Sequence, residues 1–302
     1  MIDVALVGTG GMMPLPGRFL SSMLCRVNGS MILFDCGEGT QVSLRMLGWG
    51  FKQIDMICFT HFHGDHISGL PGLLLTMANS ERTEPLKIFG PTGLSFVVKS
   101  LCVIAQDLPF PIEFYEWESE GIFSDDLLTI KTLPLNHRTP CFAYSIELAR
   151  RGKFDPVRAK DQNIPLQIWG LLQKQSEEPI VYNGITYTSD MVLGEARKGI
   201  KLVFCTDTRP VAQLPSFAQG ADLLICEGLY GDPSKEAKAK SRKHMTFREA
   251  AEIAKKANAK ELWLTHFSPA LPDPYNYLQN ATDVFPNTKT GKDRMTKTLI
   301  FE

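Results

Sequence analysis

Short apolar runs that end in a polar cluster recur along the chain and predict strands. Runs of β-branched and aromatic residues bounded by polar or turn-forming residues are typical of buried strands. The first run covers residues 2–7. The others are residues 31–34, 54–59, 128–133, 201–205 and 261–264. Most of these runs are followed closely by a histidine or an aspartate, so we expect polar chemistry at the strand ends.

Helical segments alternate with these predicted strands. The pattern predicts helices over residues 40–47, 94–105 and 246–258. The last begins with Thr246 as the N-cap, and Glu249 follows three residues later, which is the capping-box pattern of a helix start. Because strands and helices interleave, the pattern indicates an α/β or α+β fold and not an all-β sandwich or a helical bundle.

Two segments of the chain resemble each other. Residues 52–62 and 260–267 each follow a helix-like stretch, enter a predicted strand and end in Thr-His-Phe. The similarity is either a coincidence between two apolar strands or the trace of an internal duplication, whose halves would present equivalent strand ends to one shared site. The sequence leaves both interpretations open.

Length and charge limit the architecture and the partners. A chain of 302 residues lies at the upper edge of what one hydrophobic core supports, and we expect residues 1–302 to form a single domain. Lys and Arg number 32 against 33 Asp and Glu, and this net charge of −1 excludes a basic protein that coats nucleic acid. Any binding to phosphate must therefore be local.

The seven cysteines predict a reducing compartment. They are odd in number and contain no Cys-x-x-Cys pair, so we expect buried thiols in a cytoplasmic protein, without a disulfide framework. The densest apolar stretch, residues 70–78, contains Pro71 and Gly72 and is far shorter than a bilayer-spanning helix. We expect no membrane segment.

Residues 148–197 differ in character from the rest of the chain. They contain turn-forming pairs such as Asn183-Gly184, basic residues at positions 150, 151 and 153, and several aromatic residues. A long excursion inside a compact domain is either a surface loop without a role or a functional segment. We interpret it as a protruding arm that contacts the substrate.

The strongest chemical signal is the sequence Thr60-His-Phe-His-Gly-Asp-His66, which contains four potential metal ligands. In extended geometry His61 and His63 point to one side, while the following turn directs Asp65 and His66 to a second point. The spacing therefore predicts two neighbouring metal ions.

Other predicted strand ends supply further candidate ligands. His137, Asp207 and His266 each follow an apolar run, in the same context as His61. A binuclear site needs three or four protein ligands for each metal and an open position for water. Each residue alone could equally be a hydrogen-bonded histidine or a turn-capping aspartate, but their common position favours a role as metal ligands.

The motif around His61 resembles the metal-binding motif of the metallo-β-lactamase-fold hydrolases, and much of the chain is similar to the ribonuclease Z family of tRNA 3′-processing endonucleases. This similarity extends nearly from end to end. It is carried by Gly8-Thr-Gly10, Phe34-Asp-Cys-Gly-Glu-Gly-Thr-Gln41, Asn136-His-Arg-Thr-Pro-Cys141, Thr206-Asp-Thr-Arg-Pro210, His244-Met-Thr246 and Leu264-Thr-His-Phe267.

The resemblance implies an α+β fold, a four-layer αββα sandwich with two zinc ions at one edge. The ligands of one ion would be His61, His63, His137 and Asp207, and those of the other Asp65, His66, His266 and the bridging Asp207. Asp65 would also orient or deprotonate the attacking water. His244, with Glu227 as its neighbour, would help to protonate the leaving oxygen; the alternative for His244 is a hydrogen-bonded loop residue.

The same resemblance implies a homodimer that cleaves precursor tRNA, with the arm of one subunit holding tRNA for the other subunit's site. Because the candidate ligands are imidazoles and carboxylates, zinc fits best, and Mn²⁺ or Fe²⁺ would also suit them. The chain departs from the family at Thr206, Cys226 and Gly228, where glycine, histidine and alanine are usual, and in the arm at residues 165–170. The last difference concerns tRNA binding.

Basic residues precede His244 at positions 235, 238, 240, 242 and 243. They form either a solvated helix face or a surface that binds phosphates and recognises RNA by its shape, and we expect no DNA partner. The leading hypothesis is a zinc-dependent endoribonuclease that removes the 3′ trailer of precursor tRNA. The alternatives are a hydrolase of the same fold acting on small phosphodiesters, sulfate esters or other esters, and an RNA-binding protein with structural metals.

Overall fold

Two seven-stranded sheets dominate the computed structural model, which describes residues 1–125, 128–174 and 179–302. The strands of the first sheet are β1 Ile2–Gly8, β2 Ser22–Val27, β3 Ser30–Phe34, β4 Ile54–Cys58, β5 Leu86–Pro91, β6 Ile112–Trp117 and β16 Thr296–Leu299. Their order is β16-β1-β2-β3-β4-β5-β6. Pairing is antiparallel from β16 to β3 and parallel from β3 to β6.

The second sheet carries the later predicted strands. Its members are β7 Ile122–Asp125, β8 Leu128–Pro134, β9 Phe142–Arg150, β12 Arg197–Cys205, β13 Leu223–Glu227, β14 Leu262–Thr265 and β15 Thr288–Thr290. Their order is β15-β14-β13-β12-β9-β8-β7, and β12 to β15 pair in parallel. Because parallel strands end at the same edge of a sheet, the residues after β12, β13 and β14 are brought together.

Helices cover the outer face of each sheet. The helices on the first sheet are α1 Thr40–Leu47, α2 Gly64–Ile67, α3 Leu70–Asn79 and α4 Leu94–Leu101, and those of the second half are α7 Leu214–Phe217, α8 Glu236–Arg242, α9 Phe247–Lys256 and α10 Gln279–Thr282. Leu44 and Leu73 pack against the first sheet, and Ala250 and Ile253 against the second.

The inner faces of the two sheets meet through aromatic side chains. The ring of Phe34 on β3 lies 5.4 Å from that of Tyr144 on β9 and 6.0 Å from that of Phe204 on β12. Helices outside and two sheets inside form the four layers of an αββα sandwich, so the predicted fold is confirmed.

The predicted helices are close to those observed. The helix predicted over residues 40–47 is observed as α1 over the same residues. Thr246 and Glu249 form the predicted capping box at the start of α9. The helix predicted over residues 94–105 instead ends at Leu101. The Ala105 amide donates to the Cys102 carbonyl oxygen at 2.8 Å, and this turn replaces the helical hydrogen-bond pattern.

The chain divides into two compact units, residues 1–147 with 200–300 and residues 148–199 with 301–302. The second unit contains α5 Pro156–Asp161, α6 Leu166–Gln173 and the hairpin of β10 Ile180–Tyr182 with β11 Ile185–Tyr187. Its own small core includes Ile168, Leu172 and Tyr187. Residues 175–178 of the predicted arm lie outside the described residues, and the arm's role stays a prediction.

All seven cysteines are free and buried, as the sequence predicts. Burial raises the pKa of the Cys25 and Cys36 thiols, so these side chains behave as small apolar groups. Among the helices of the described residues, none combines the length and the apolar character of a membrane span.

Candidate active site

Polar residues at the ends of the parallel strands meet at one edge of the sandwich. Asp35 and His61 follow β3 and β4 of the first sheet, while Asp207 and His266 follow β12 and β14 of the second. Both Thr-His-Phe segments therefore end at this edge, one from each sheet. This arrangement suits the internal duplication suggested by the sequence, which stays a prediction.

One group of candidate ligands consists of His61, His63, His137 and Asp207, whose donor atoms all lie within 4.8 Å of one another. His63 Nδ1 lies 3.0 Å from His61 Nε2 and 3.2 Å from His137 Nε2. Asp207 Oδ2 lies 3.6 Å from His61 Nε2 and 3.7 Å from His137 Nε2. These four atoms surround one point.

A second group consists of Asp65, His66 and His266. His66 Nε2 lies 3.2 Å from His266 Nε2, and Asp65 Oδ2 lies 3.3 Å from the same atom of His266. The second oxygen of Asp207, Oδ1, lies 3.1 Å from His266 Nε2 and 3.3 Å from His66 Nε2. Asp207 thus presents one oxygen to each group, which is the geometry of a bridging ligand.

The two groups fit cations. Zinc–nitrogen bonds of about 2.0–2.1 Å in tetrahedral geometry separate two nitrogen ligands by about 3.3 Å. The imidazole nitrogens here approach each other to 3.0–3.2 Å. Asp207 Oδ1 is buried, and among the described residues it has no hydrogen-bond partner. A buried carboxylate oxygen without a donor is costly unless a cation binds it.

The charges around Asp207 also favour a bound cation. Burial raises the pKa of its carboxyl group, but the imidazoles of His266, His66 and His61 outweigh this effect and lower the pKa well below its usual range. Asp207 is therefore held ionised with a side chain that is 3% exposed. A carboxylate in this state is a strong ligand for a divalent metal.

Asp35 orients the imidazole of the candidate ligand His66, and the sequence interpretation gave Asp35 no role. Its Oδ2 lies 2.8 Å from His66 Nδ1. The amide of Thr60 donates to Asp35 Oδ1 at 2.8 Å, and the Thr60 hydroxyl donates to Oδ2 at 2.9 Å. With Nδ1 engaged, His66 directs Nε2 to the site, as outer carboxylates commonly do for metal-binding histidines. The sequence does show that Asp35 directly follows a predicted strand, and this position could have indicated its role.

His137 is fixed in a similar way by a main-chain oxygen. Its Nδ1 lies 3.3 Å from the Lys243 carbonyl oxygen, and the Lys243 ammonium donates to the His137 carbonyl oxygen at 2.8 Å. Lys243 has a φ of 59° at the end of α8. This basic residue therefore supports the loop of the candidate ligand His137, and its contact with phosphate stays a prediction.

Main-chain atoms of the loop after β1 complete the second group. The Met12 amide donates to Asp65 Oδ2 at 2.6 Å. Gly11 lies against the imidazole of His266, where a Cβ would come within 2.6 Å of Cε1. Only glycine permits this close approach. The sequence interpretation missed both contacts, because an amide group has no side-chain signature.

His244 is paired with Glu227 beside the two groups. His244 Nδ1 lies 3.2 Å from Glu227 Oε1, which also accepts from the Thr208 amide at 2.6 Å. The Met245 amide donates to Glu227 Oε2 at 3.1 Å. Burial lowers the pKa of His244, but Glu227, with smaller contributions from Asp207 and Asp65, raises it to about 9. Glu227 therefore favours the protonated form of the imidazole.

A cavity of about 350 Å³ opens over both groups, and His63, Asp65, Asp207, His244 and His266 line it. Three cationic side chains share its wall, namely Arg138, Lys238 and Arg242. Lys240 does not line the cavity and pairs with Glu236 on the exposed face of α8 at 2.5 Å. The basic segment therefore divides into a cavity-facing part and a solvated part.

Comparisons with known proteins agree with this arrangement. Two family models match parts of the chain, the beta-lactamase superfamily domain over residues 177–267 and the anti-Pycsar protein Apyc1 over residues 2–101. Among solved structures, the short form of human tRNase Z has 27% sequence identity and a TM-score of 0.72, and the match covers 99% of this chain and 100% of that one. The fold is therefore the metallo-β-lactamase fold.

Closely related sequences define the family. Ribonuclease Z of Lachnoclostridium phytofermentans is 52% identical over 304 residues, which cover 100% of this chain and 99% of that protein. Ribonuclease Z of Clostridium acetobutylicum is 52% identical over 309 residues with the same coverage. Such similarity over the full length shows that this chain belongs to the ribonuclease Z family.

Proposed function

We propose that the chain is a metal-dependent endoribonuclease that removes the 3′ trailer of precursor tRNA and leaves a 3′-hydroxyl on the tRNA. The observation that carries the proposal is the meeting of two ligand groups and the His244–Glu227 pair at one cavity. Hydrolysis of a phosphodiester needs an activated water, neutralisation of negative charge and a proton for the leaving oxygen.

The proposed cofactors are two zinc ions, although Mn²⁺ or Fe²⁺ would also suit these ligands. One ion would be held by His61, His63, His137 and Asp207, and the other by Asp65, His66, His266 and Asp207. When bound, two such ions neutralise charge on the phosphate and lower the pKa of water.

We propose that Asp65 orients the attacking water and accepts its proton. Burial raises the pKa of Asp65, but the hydrogen bond to His266 and the charges of His66 and His266 lower it overall, so the carboxylate is ionised. Its Oδ2 is held by the Met12 amide, and the side chain is 12% exposed at the cavity. A fixed carboxylate beside the reacting phosphate lowers the entropy cost of bringing water into line.

In the proposed function His244 protonates the leaving 3′-oxygen of the tRNA. Because Nδ1 faces Glu227, Nε2 is the ring nitrogen that remains for the substrate. Glu227 is fully buried and stabilises the imidazolium form before the proton is transferred. Protonation of a leaving alkoxide by a positioned acid contributes about 10²–10⁴-fold to a rate.

The cationic wall of the cavity supports a polyanionic substrate. Arg138, Lys238 and Arg242 would bind phosphates on either side of the scissile bond, without reading bases. We propose that the compact unit of residues 148–199 binds the body of the tRNA. Its separate core and its basic residues at positions 150, 151 and 153 support this role.

We propose a homodimer in the cytoplasm, in which one subunit's arm serves the partner's active site. The family resemblance supports the dimer, and the seven free cysteines support a reducing compartment. Light scattering coupled to size exclusion tests the dimer. A monomer that cleaves precursor tRNA at the full rate would refute it.

The decisive experiment is cleavage of a precursor tRNA followed by mapping of both new ends. We expect one cut, a 3′-hydroxyl on the tRNA and an affinity that falls steeply with salt concentration. The same preparation is tested on bis(p-nitrophenyl) phosphate, and D207A serves as the control for contaminating nucleases. Equal kcat/KM on both substrates would favour a hydrolase of small esters and refute the proposal.

A further inference from the structure

The guanidinium of Arg209 joins the loop of Asp207 to the loop of His244. Its Nη1 donates to the main-chain oxygen of His244 at 2.5 Å. Both of its terminal nitrogens bind Glu249, with Nη1 3.1 Å from Oε2 and Nη2 against Oε1. The two side chains are only 15% and 16% exposed. A bidentate pair at this burial has a defined geometry, unlike an exposed ion pair.

The main chain of Arg209 is itself fixed to the metal-ligand loops. Its amide donates to the Asn136 carbonyl oxygen at 3.1 Å, and the Asn136 amide donates to Thr208 Oγ1 at 3.0 Å. These bonds place Arg209 between two candidate ligands, since Asn136 precedes His137 and Thr208 follows Asp207. The main chain from which the guanidinium extends is thus held in place by hydrogen bonds.

His244 lies in a short connection between α8 and α9. Its position therefore depends on hydrogen bonds to the surrounding residues. Its amide donates to the Ala239 carbonyl oxygen at 2.9 Å, and its ring contacts Glu227. On the other side, Glu249 accepts from the Thr246 amide at 2.9 Å and from the Thr246 hydroxyl at 3.0 Å. The bond from Arg209 fixes the carbonyl side of the peptide between His244 and Met245, whose N–H is held by Glu227 Oε2.

We propose that Arg209 is a positioning residue for proton transfer, which holds the His244 imidazole in line with the leaving oxygen. This inference rests on the proposed function. Arg209 is not among the described residues that line the cavity, so it acts through His244 and not on the substrate. Among its described contacts, its side chain bonds no residue of the two ligand groups defined above.

The first test compares R209M and R209K with the parent enzyme on precursor tRNA. A displacement of about 1 Å in a catalytic group costs on the order of 10²-fold in rate. We expect R209M to lower kcat by about 10–100-fold with little change in KM and in bound metal. R209K should recover part of the loss, because it keeps one donor without the bidentate geometry. A raised KM with unchanged kcat would overturn the proposal.

The second test asks whether Arg209 acts through His244. In the double variant R209M/H244A we expect no loss beyond that of H244A, because the positioned group is already absent. The loss from R209M should also shrink to a few-fold on bis(p-nitrophenyl) phosphate, whose leaving group needs no proton. Additive losses in the double variant, or equal losses on both substrates, would show a general structural role instead.

Controls separate these outcomes from misfolding. R248M removes a neighbouring arginine whose side chain is 64% exposed and pairs with Glu252, and it should leave all parameters unchanged. Thermal unfolding of each variant checks the fold. Failure of the proposed function would appear in the parent enzyme as absence of tRNA cleavage, whereas failure of this inference appears only when the variants are compared.

Discussion

The carboxylate of Asp35 and the imidazole of His66 form a fully buried pair, with Oδ2 and Nδ1 2.8 Å apart. Burial raises the pKa of Asp35, and the imidazole opposes this effect. The pair connects the end of β3 with the helix that follows β4. It decides which nitrogen of His66 faces the candidate metal site, because only Nε2 remains for a ligand bond.

Replacing Asp35 by asparagine should weaken metal binding. An amide at this position keeps the size of the side chain but loses the charge that orients His66, and outer-shell changes of this kind cost about 10–100-fold in metal affinity. Competition with a chromogenic chelator measures the change. D161N, at an exposed position of α5, is the matched control and should bind metal like the parent. Equal affinities for D35N and the parent would contradict the prediction.

Removing His61 and removing His244 should have different effects. H61A takes away a candidate ligand of the first group and should lower the metal content of the purified protein. H244A should retain the metal and lose turnover of precursor tRNA by about 10²–10⁴-fold, because it removes only the proposed proton donor. Metal analysis beside single-turnover cleavage distinguishes the two. Loss of metal in H244A would remove its assigned role and make it a ligand.

Substituting alanine for Gly11 should affect one metal and spare the other. A Cβ at this position would lie 2.6 Å from the His266 ring, so the imidazole must move and the second group is disturbed. We expect bound metal to fall towards one ion per chain. G170A is the matched control, since a Cβ there meets nothing within 4 Å. Two tightly bound ions in G11A would refute this account of the loop.

Basic residues on α8 face either the cavity or the solvent, and we expect substitutions on these two faces to differ in effect. K238A removes a cation from the cavity wall, so KM for precursor tRNA should rise and the slope of log affinity against log salt should decrease by about one. K240A removes a cation that pairs with Glu236 on the exposed face, and it should change little. Equal effects of the two variants would place RNA along the whole helix.

Local patterns allowed much of the molecule to be predicted. The helix at residues 40–47 and the capping box of Thr246 and Glu249 depend on contacts within a few residues, which the sequence displays directly. The strand ends were visible for the same reason, because an apolar run followed by a histidine is a local feature. Two pairs of candidate ligands were recognisable since His61, His63, Asp65 and His66 lie within one short segment.

The sequence by itself determined the alternation of strands and helices, the ligand types and, through resemblance, the family. Only the tertiary structure decided how these side chains are held. Asp35 and His66 are in contact although 31 positions separate them in the sequence. The Met12 amide and Asp65 are 53 positions apart, and Arg209 and the His244 carbonyl are 35 positions apart. Such contacts depend on how the two sheets and their loops pack. Two of the three involve main-chain groups that every residue carries, so no pattern of side chains could have predicted them.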